Sequence, residues 1–290
     1  MLGQARAVAL DGILLVDKPA GPSSHAIVAA VRRTVGRGVK VGHAGTLDPF
    51  ASGLMVILLG RGTRASQFLL GLSKRYETLA QLGALSTTGD PEGEITVTGR
   101  IPASPLTLPT GMVRQRPPVY SAIKIEGERA YKRARRGEVV EMPERTVEIY
   151  DFQELGRDGD RVRLALHCSS GTYVRSLVTA LGDGYCLELR RTAIGAFTLD
   201  QAVTLDALAD PTAVAQARLP LERALAFLPT VTLNVAQSQA IRHGKRLDVT
   251  ELAAAELPVN TPILLVDALG AVAVGQSDGA QLKTAVGFRA

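Results

Sequence analysis

One segment constrains this chain more than any other: Gly42-His43-Ala44-Gly45-Thr46-Leu47-Asp48-Pro49-Phe50-Ala51-Ser52-Gly53-Leu54. Gly42 and Gly45 admit backbone conformations and close approaches that other residues cannot make, and Pro49 fixes the backbone directly after an acid. The apolar run from Leu54 to Leu59 then reads as a buried strand, so Asp48 sits on a shaped loop that feeds a rigid core element. Two uses of the carboxylate fit this setting, an Asx turn that caps its own backbone or chemistry. Taken by itself, such a loop is structural more often than catalytic.

Around this segment the patterning is mixed. Gly12 to Val16 predicts a strand running into the turn Lys18-Pro19-x-Gly21. Ser24 is then placed to cap a helix whose apolar positions Ile27, Val28, Val31 and Val35 follow helical spacing. Arg64 to Leu70 predicts a second short helix, whereas Tyr76 to Leu82 and Val162 to Cys168 alternate with period two, as half-buried strands do. Helices and strands without regular alternation predict an α+β fold. The Pro-rich stretch between Gly99 and Arg116 excludes a helix there. Beyond Pro229, short apolar runs punctuated by turns predict a small β-rich unit, so the chain divides into 1–229 and 230–290.

Composition narrows the class. With 290 residues and 46% hydrophobic content, the chain can bury a large core with a small domain appended. The balance of 33 Lys+Arg against 28 Asp+Glu gives a net charge of +5, which suits a polyanionic partner without demanding one. Cys168 and Cys186 stand alone, without Cys-x-x-Cys or Cys/His spacing, so neither a metal site nor a disulfide framework is expected and a reduced, cytoplasmic setting is. No apolar stretch approaches the ~20 residues needed to cross a bilayer, and no secretory leader pattern opens the chain.

Several segments in order along the chain carry a resemblance. They are Gly12-Ile-Leu-Leu-Val-Asp-Lys-Pro19 with Gly21, Ser23 and Ser24; the Gly42 to Gly53 segment; Lys74-Arg-Tyr76; and Pro117-Pro-Val-Tyr-Ser-Ala-Ile-Lys124. Ala130-Tyr131 with Ala134, Arg135 and Gly137, then Gly171-Thr-Tyr-Val-Arg-Ser176 and Leu189-Arg-Arg-Thr192, complete the set. In this order they resemble the bacterial tRNA pseudouridine-55 synthase family, TruB. The resemblance implies a mixed, largely antiparallel sheet crossed by a central cleft. For 230–290 it implies a PUA-like RNA-binding domain, with a generic small β domain as the alternative. Two departures stand out: the helical thumb expected around 99–118 is shortened, and the connection after Leu181-Gly182 is short.

The resemblance also implies roles. Asp48 becomes the catalytic carboxylate, Arg175 its basic partner, and Tyr76 a ring stacked on the target uracil that assists late proton removal. His43 fills the space of the flipped base, and Tyr173 and Leu189 line the substrate. Tyr120 has no role fixed, since it could equally pack the core. Lys18 and Pro19 are expected to support the Asp48 loop. Arg129, Lys132, Arg133, Arg135 and Arg136 read as a solvated helical face that would also meet RNA phosphates, with Arg190 and Arg191 adding to it. The implied activity is isomerisation of uridine to pseudouridine in the T-loop of tRNA, at uridine-55. It needs no cofactor, no metal, no membrane and no protein partner, and the enzyme is expected as a monomer. The competing readings are a non-catalytic RNA-binding protein or tRNA-folding chaperone and, more remotely, a guide-RNA-dependent synthase.

Overall fold

A computed structural model describes residues 10–289 apart from 122, 126 and 253–256. The predicted buried strand is Ser52–Leu59, and every residue from Gly53 onward is buried. Gly12–Lys18 lies antiparallel along its full length, from Gly12 opposite Leu59 to Lys18 opposite Gly53. On the other side, Tyr185–Ile194 runs parallel, with Arg190 opposite Ser52 and Arg191 opposite Gly53. The sheet continues through Lys74–Gln81, Arg161–Cys168, Arg145–Asp158 and Gly111–Gln115, each antiparallel to its neighbour. Val203–Thr204 adds a parallel edge beside Gly12–Lys18. The fold class is α+β with a mixed, largely antiparallel sheet, as the sequence predicts.

A strand buried on both faces needs a cover on each, and alternation along Ser52–Leu59 divides its residues accordingly. Met55, Ile57 and Leu59 pack with Ile27, Val28 and Val31 of the helix Ser24–Val35. Leu54, Val56 and Leu58 pack the opposite way, with Leu69, Leu225, Leu264, Val274 and Phe288. The tail therefore covers the back of the main sheet. Its own sheet runs Thr230–Thr232, Pro262–Asp267, Gly270–Ser277, Gln281–Gly287 and Leu247–Asp248. Ile263 and Leu265 face a separate tail core with Val231, Ile241 and Leu282, while Leu264 faces the main sheet.

Two local expectations are corrected, and one left open is decided. Ser23, not Ser24, caps the first helix, its hydroxyl accepting from the Ala26 amide at 3.2 Å. Ser24 is buried, and its Oγ bridges both the amide and the carbonyl of Leu47 at 2.8 Å each. The expected helix from Arg64 begins only at Ser66 and ends at Leu70, because Gly60–Ala65 forms a 3-10 turn. Tyr120 does not pack the core, being 38% exposed. The Pro-rich stretch is non-helical as expected, and it leads into the strand Gly111–Gln115.

Ser24→Ala removes both partners of the Leu47 peptide at a buried position, so it is expected to cost about 1–3 kcal/mol. Ser23→Ala, which only uncaps a helix, should cost about 1 kcal/mol. Urea unfolding of the two variants checks the order, and a costlier Ser23→Ala would return the structural weight to the cap.

Candidate active site

Lys18, Ser24 and Gly21 hold the Asp48 loop from three sides. Lys18 is fully buried, and its ammonium donates to the carbonyls of Pro19 at 2.8 Å and Pro49 at 3.1 Å. Pro49 O also accepts from the Gly21 amide at 2.8 Å. Burial pulls the Lys18 amine down to about 8, with Asp48 opposing that shift. Gly45 takes φ +112°, which only glycine adopts freely, so the turn ahead of the acid depends on it. Among the described residues no hydrogen bond ties the Asp48 carboxylate to its own loop, so the Asx-turn alternative is not what forms. Instead Asp48 Oδ2 lies 2.9 Å from Arg175 Nη2.

Arg175 stands near the start of the helix Val174–Ala180 and is 3% exposed. Its Nη1 donates to the Thr88 carbonyl at 2.5 Å and to Asp90 Oδ2 at 3.2 Å, and its Nη2 to the Tyr120 carbonyl at 3.0 Å. Asp90 is itself fixed by the Thr88 hydroxyl at 2.5 Å and the Glu92 amide at 3.1 Å. One buried guanidinium thus spans two carboxylates, of which Asp48 keeps 30% of its side-chain surface exposed against 6% for Asp90. Burial raises the Asp48 carboxyl above its ordinary range, and Arg175 pulls the other way. Asp90 escaped the sequence reading, although Gly89-Asp90-Pro91 repeats the glycine-led Asp-Pro signature of the first loop.

Arg191 corrects an expectation. It is 1% exposed and reaches no solvent phosphate; it donates to the carbonyls of Leu54 at 2.8 Å, Gly45 at 3.1 Å and Thr46 at 3.3 Å. It also lies directly opposite Tyr76 across the strand pair, and its charge pulls the Tyr76 phenol down. Gly53 makes this approach possible, since a Cβ there would stand 2.3 Å from the Arg191 carbonyl. Arg190 behaves differently, 40% exposed at its side chain and paired with Asp17 at 2.7 Å. On the Ala130–Arg135 helix and at the residue after it, Arg133 and Arg136 are engaged by Glu138, and Arg136 also by Glu128. Those two charges are committed within the protein.

Of the remaining predicted residues, Tyr76 and Tyr173 feel the Asp48 charge. Tyr76 is half-buried in the Lys74–Gln81 strand; burial raises its phenol while Arg191 draws it down, and the Asp48 charge reaches it. Tyr173 precedes the Arg175 helix, with its amide donating to Gln115 Oε1 at 2.8 Å. Its phenol is raised by burial against the pull of Ser121 and Arg145, and it too feels Asp48. His43 ends the strand Val41–His43, and burial followed by the Arg191 charge lowers its pKa, so the ring is neutral. Leu189 is 6% exposed within Tyr185–Ile194 and joins the core cluster that Tyr76 packs against. Behind Arg175 opens a cavity of about 700 Å³ whose walls include Thr88, Gly89, Gln115 and Ser176.

Among the described residues no group of three or more His, Cys, Asp or Glu is placed to hold a metal ion, and no helix is long and apolar enough to cross a membrane. The fold is that of the pseudouridine synthases: a Cbf5-Nop10-Gar1 complex superposes with a TM-score of 0.73 at 26% identity, covering 97% of this chain and 86% of that one. A substrate-bound H/ACA RNP gives a TM-score of 0.74 at 24% identity, a likeness of fold. Within that class the chain belongs to the TruB family pseudouridylate synthases, whose N-terminal domain model matches residues 32–174. A tRNA pseudouridine synthase B of Corynebacterium efficiens is 41% identical over 280 residues, covering 90% of this chain and 93% of that protein. One of Thermobifida fusca is 41% identical, covering 82% and 86%.

If Asp48 reacts as the anion, the acid limb of kcat/KM should fall above the ordinary carboxylate range, because burial outweighs the arginine there. Arg175→Met removes the lowering charge, so the limb should move to still higher pH and activity should recover partly as pH rises. Arg175→Lys keeps a charge but cannot span Asp48, Asp90 and two carbonyls, and it should remain strongly impaired. pH–rate profiles with RNA affinity measured alongside decide this; a Met variant with normal turnover at saturating RNA would assign Arg175 to RNA binding instead.

Proposed function

We propose that this protein isomerises uridine to pseudouridine in the T-loop of tRNA, at uridine-55, without a cofactor. The observation that carries the reading is the Asp48 carboxylate, oriented at 2.9 Å by a buried arginine and still partly exposed. The reaction breaks the bond from ribose C1′ to uracil N1, turns the base, joins C1′ to C5 and releases the C5 proton. A fixed anion can attack the base or the anomeric carbon, or take a sugar proton while stabilising cationic character, and each of these is within a carboxylate's chemistry. Tyr76 serves as the stacking platform, with its hydroxyl beside Arg191 for the proton step. His43, neutral and beside the same loop, takes the space of the everted base, for which unstacking costs about a few kcal/mol. Tyr173 and Leu189 bound the base.

In this reading 1–229 is the catalytic domain and 230–290 an RNA-binding domain reaching beyond the T-loop. The enzyme acts alone, as a monomer in the cytoplasm. The exposed Lys245 and Arg246, at the turn after the Val235–Arg242 helix, are the tail's candidates for phosphate contact.

Asp48→Asn keeps the shape but not the nucleophile or base, so it should bind a T stem-loop normally and form no pseudouridine. Chemical mapping of the product checks this, and multiple turnover by the Asn protein would refute it. For the tail, deletion would bare Leu264, Val274 and Phe288 together with the face they cover. Charge reversal at Lys245 and Arg246 is the cleaner probe. It should weaken whole tRNA at least several-fold more than a minimal stem-loop, since each lost phosphate contact lowers affinity; equal losses on both RNAs would deny the tail its reach.

A further inference from the structure

Beside Tyr173 the protein leaves buried polar atoms without partners, and they are neighbours. Arg145 and Gln115 stand opposite each other where Arg145–Asp158 pairs with Gly111–Gln115, which sets their side chains on one face. Gln115 is 6% exposed, and its Oε1 accepts from the Tyr173 amide at 2.8 Å. That bond fixes the orientation of the side-chain amide, and its Nε2 is left buried with no hydrogen-bond partner. Arg145 Nε is buried and unpartnered as well.

Arg145 also lacks a counter-charge among the described residues. The adjacent Glu144 pairs instead with Arg114 and, at 3.6 Å, with Arg116, two arginines whose side chains are 78% and 64% exposed. The Arg145 guanidinium borders the Gly171-Thr172-Tyr173 turn, for a Cβ on Gly171 would lie 3.6 Å from its Nη1. Its charge is felt by the Tyr173 phenol, which also feels Asp48 and Arg175. Unpaired buried donors are costly. Two on facing residues, one of them cationic, at the edge of a site open to a polyanion, call for an acceptor of negative charge that arrives with the substrate.

We propose that Arg145 and Gln115 form a phosphate subsite that holds a phosphodiester flanking the everted uridine, an inference that rests on RNA being the substrate. The guanidinium supplies charge and the Nε–H, and the glutamine amide supplies a neutral second donor. Both sit on paired strands, so the subsite is rigid before the RNA arrives. A phosphate bound there is linked through Gln115 to the Tyr173 amide, at the entrance of the helix that carries Arg175. Backbone anchoring of the everted nucleotide is thereby tied mechanically to the residue that orients Asp48.

The test is binding of T stem-loop RNAs that carry a single neutral methylphosphonate linkage, moved one position at a time through the loop. Wild-type protein should lose about tenfold in affinity at one linkage. Arg145→Gln should lose about as much on unmodified RNA and be indifferent to that linkage, with its salt slope reduced by about one. Gln115→Glu keeps the acceptor for the Tyr173 amide but puts a negative oxygen where Nε2 was, so it should bind unmodified RNA at least as weakly as Arg145→Gln. Arg145→Lys, which keeps the charge, should restore part of the loss. The proposal is overturned if no single linkage weakens wild type, if the linkage and Arg145→Gln effects add at every position, or if Gln115→Glu binds like wild type. Should Arg145→Gln not fold, the linkage walk on wild type and the Gln115→Glu measurement still decide it. Because the readout is affinity, a wild type that binds but forms no pseudouridine would sink the reaction proposed above and leave this test intact. A wild type that does not bind the RNA would sink both.

Discussion

Everything at the site turns on one buried cation. Arg175 is 3% exposed, and a guanidinium stripped of water at that depth is tolerable only where acceptors occupy its donors. For its two terminal nitrogens the protein supplies four acceptors from three separate segments: Asp48, the Thr88 carbonyl with Asp90, and the Tyr120 carbonyl. Satisfying one charge therefore fixes the relative positions of the Asp48 loop, the Ser86 to Asp90 turn, the segment before Ser121 and the helix from Val174. Asp90, with 6% of its side-chain surface open, carries the balancing charge. Asp48 is thus held by the same cation without being fully enclosed.

A second buried guanidinium does the complementary task from below. Arg191 has no carboxylate partner among the described residues; its partners are three carbonyls of the 45–54 segment, and it faces Tyr76 across the strand pair. With Lys18 beneath Pro49, the Asp48 loop rests on two cations that bond its backbone rather than its acid. Both cations lie beneath the loop, while the acid's single close partner stays Arg175. Burial lowers the Lys18 amine to about 8, a measure of how far the enclosing atoms exclude water there.

Sequence patterning reads well where it reports periodicity. The run Leu54 to Leu59 is legible as a buried strand because apolarity on both faces leaves no other option, and the alternations at Tyr76 and Val162 place the neighbouring strands. Asp48 and Arg175 were paired by family resemblance, since nothing in local spacing tells that residues 127 positions apart meet. Asp90 and the buried role of Arg191 were not legible for the same reason: an arginine's type predicts surface, and only tertiary packing reveals carbonyls waiting for it. Ser24 was misassigned by one residue because Ser23 and Ser24 are equivalent as caps in sequence, and the choice is made by the Leu47 peptide, 23 residues away.

The tail links stability to function through the same strand. Leu54, Val56 and Leu58 need a cover, and Leu264, Val274 and Phe288 provide it. Fully burying side chains of this kind contributes about 1.5–3 kcal/mol each, so the cover is part of the fold's core and not an appendage. Because those strand residues follow directly on the Asp48 loop, whatever the tail binds bears on the scaffold that positions the acid. The opposite face is closed by the helix from Ser24, whose first buried hydroxyl grips Leu47. The Asp48 loop is therefore clamped between elements that meet only when both covers are in place, which makes its geometry a property of the whole folded chain.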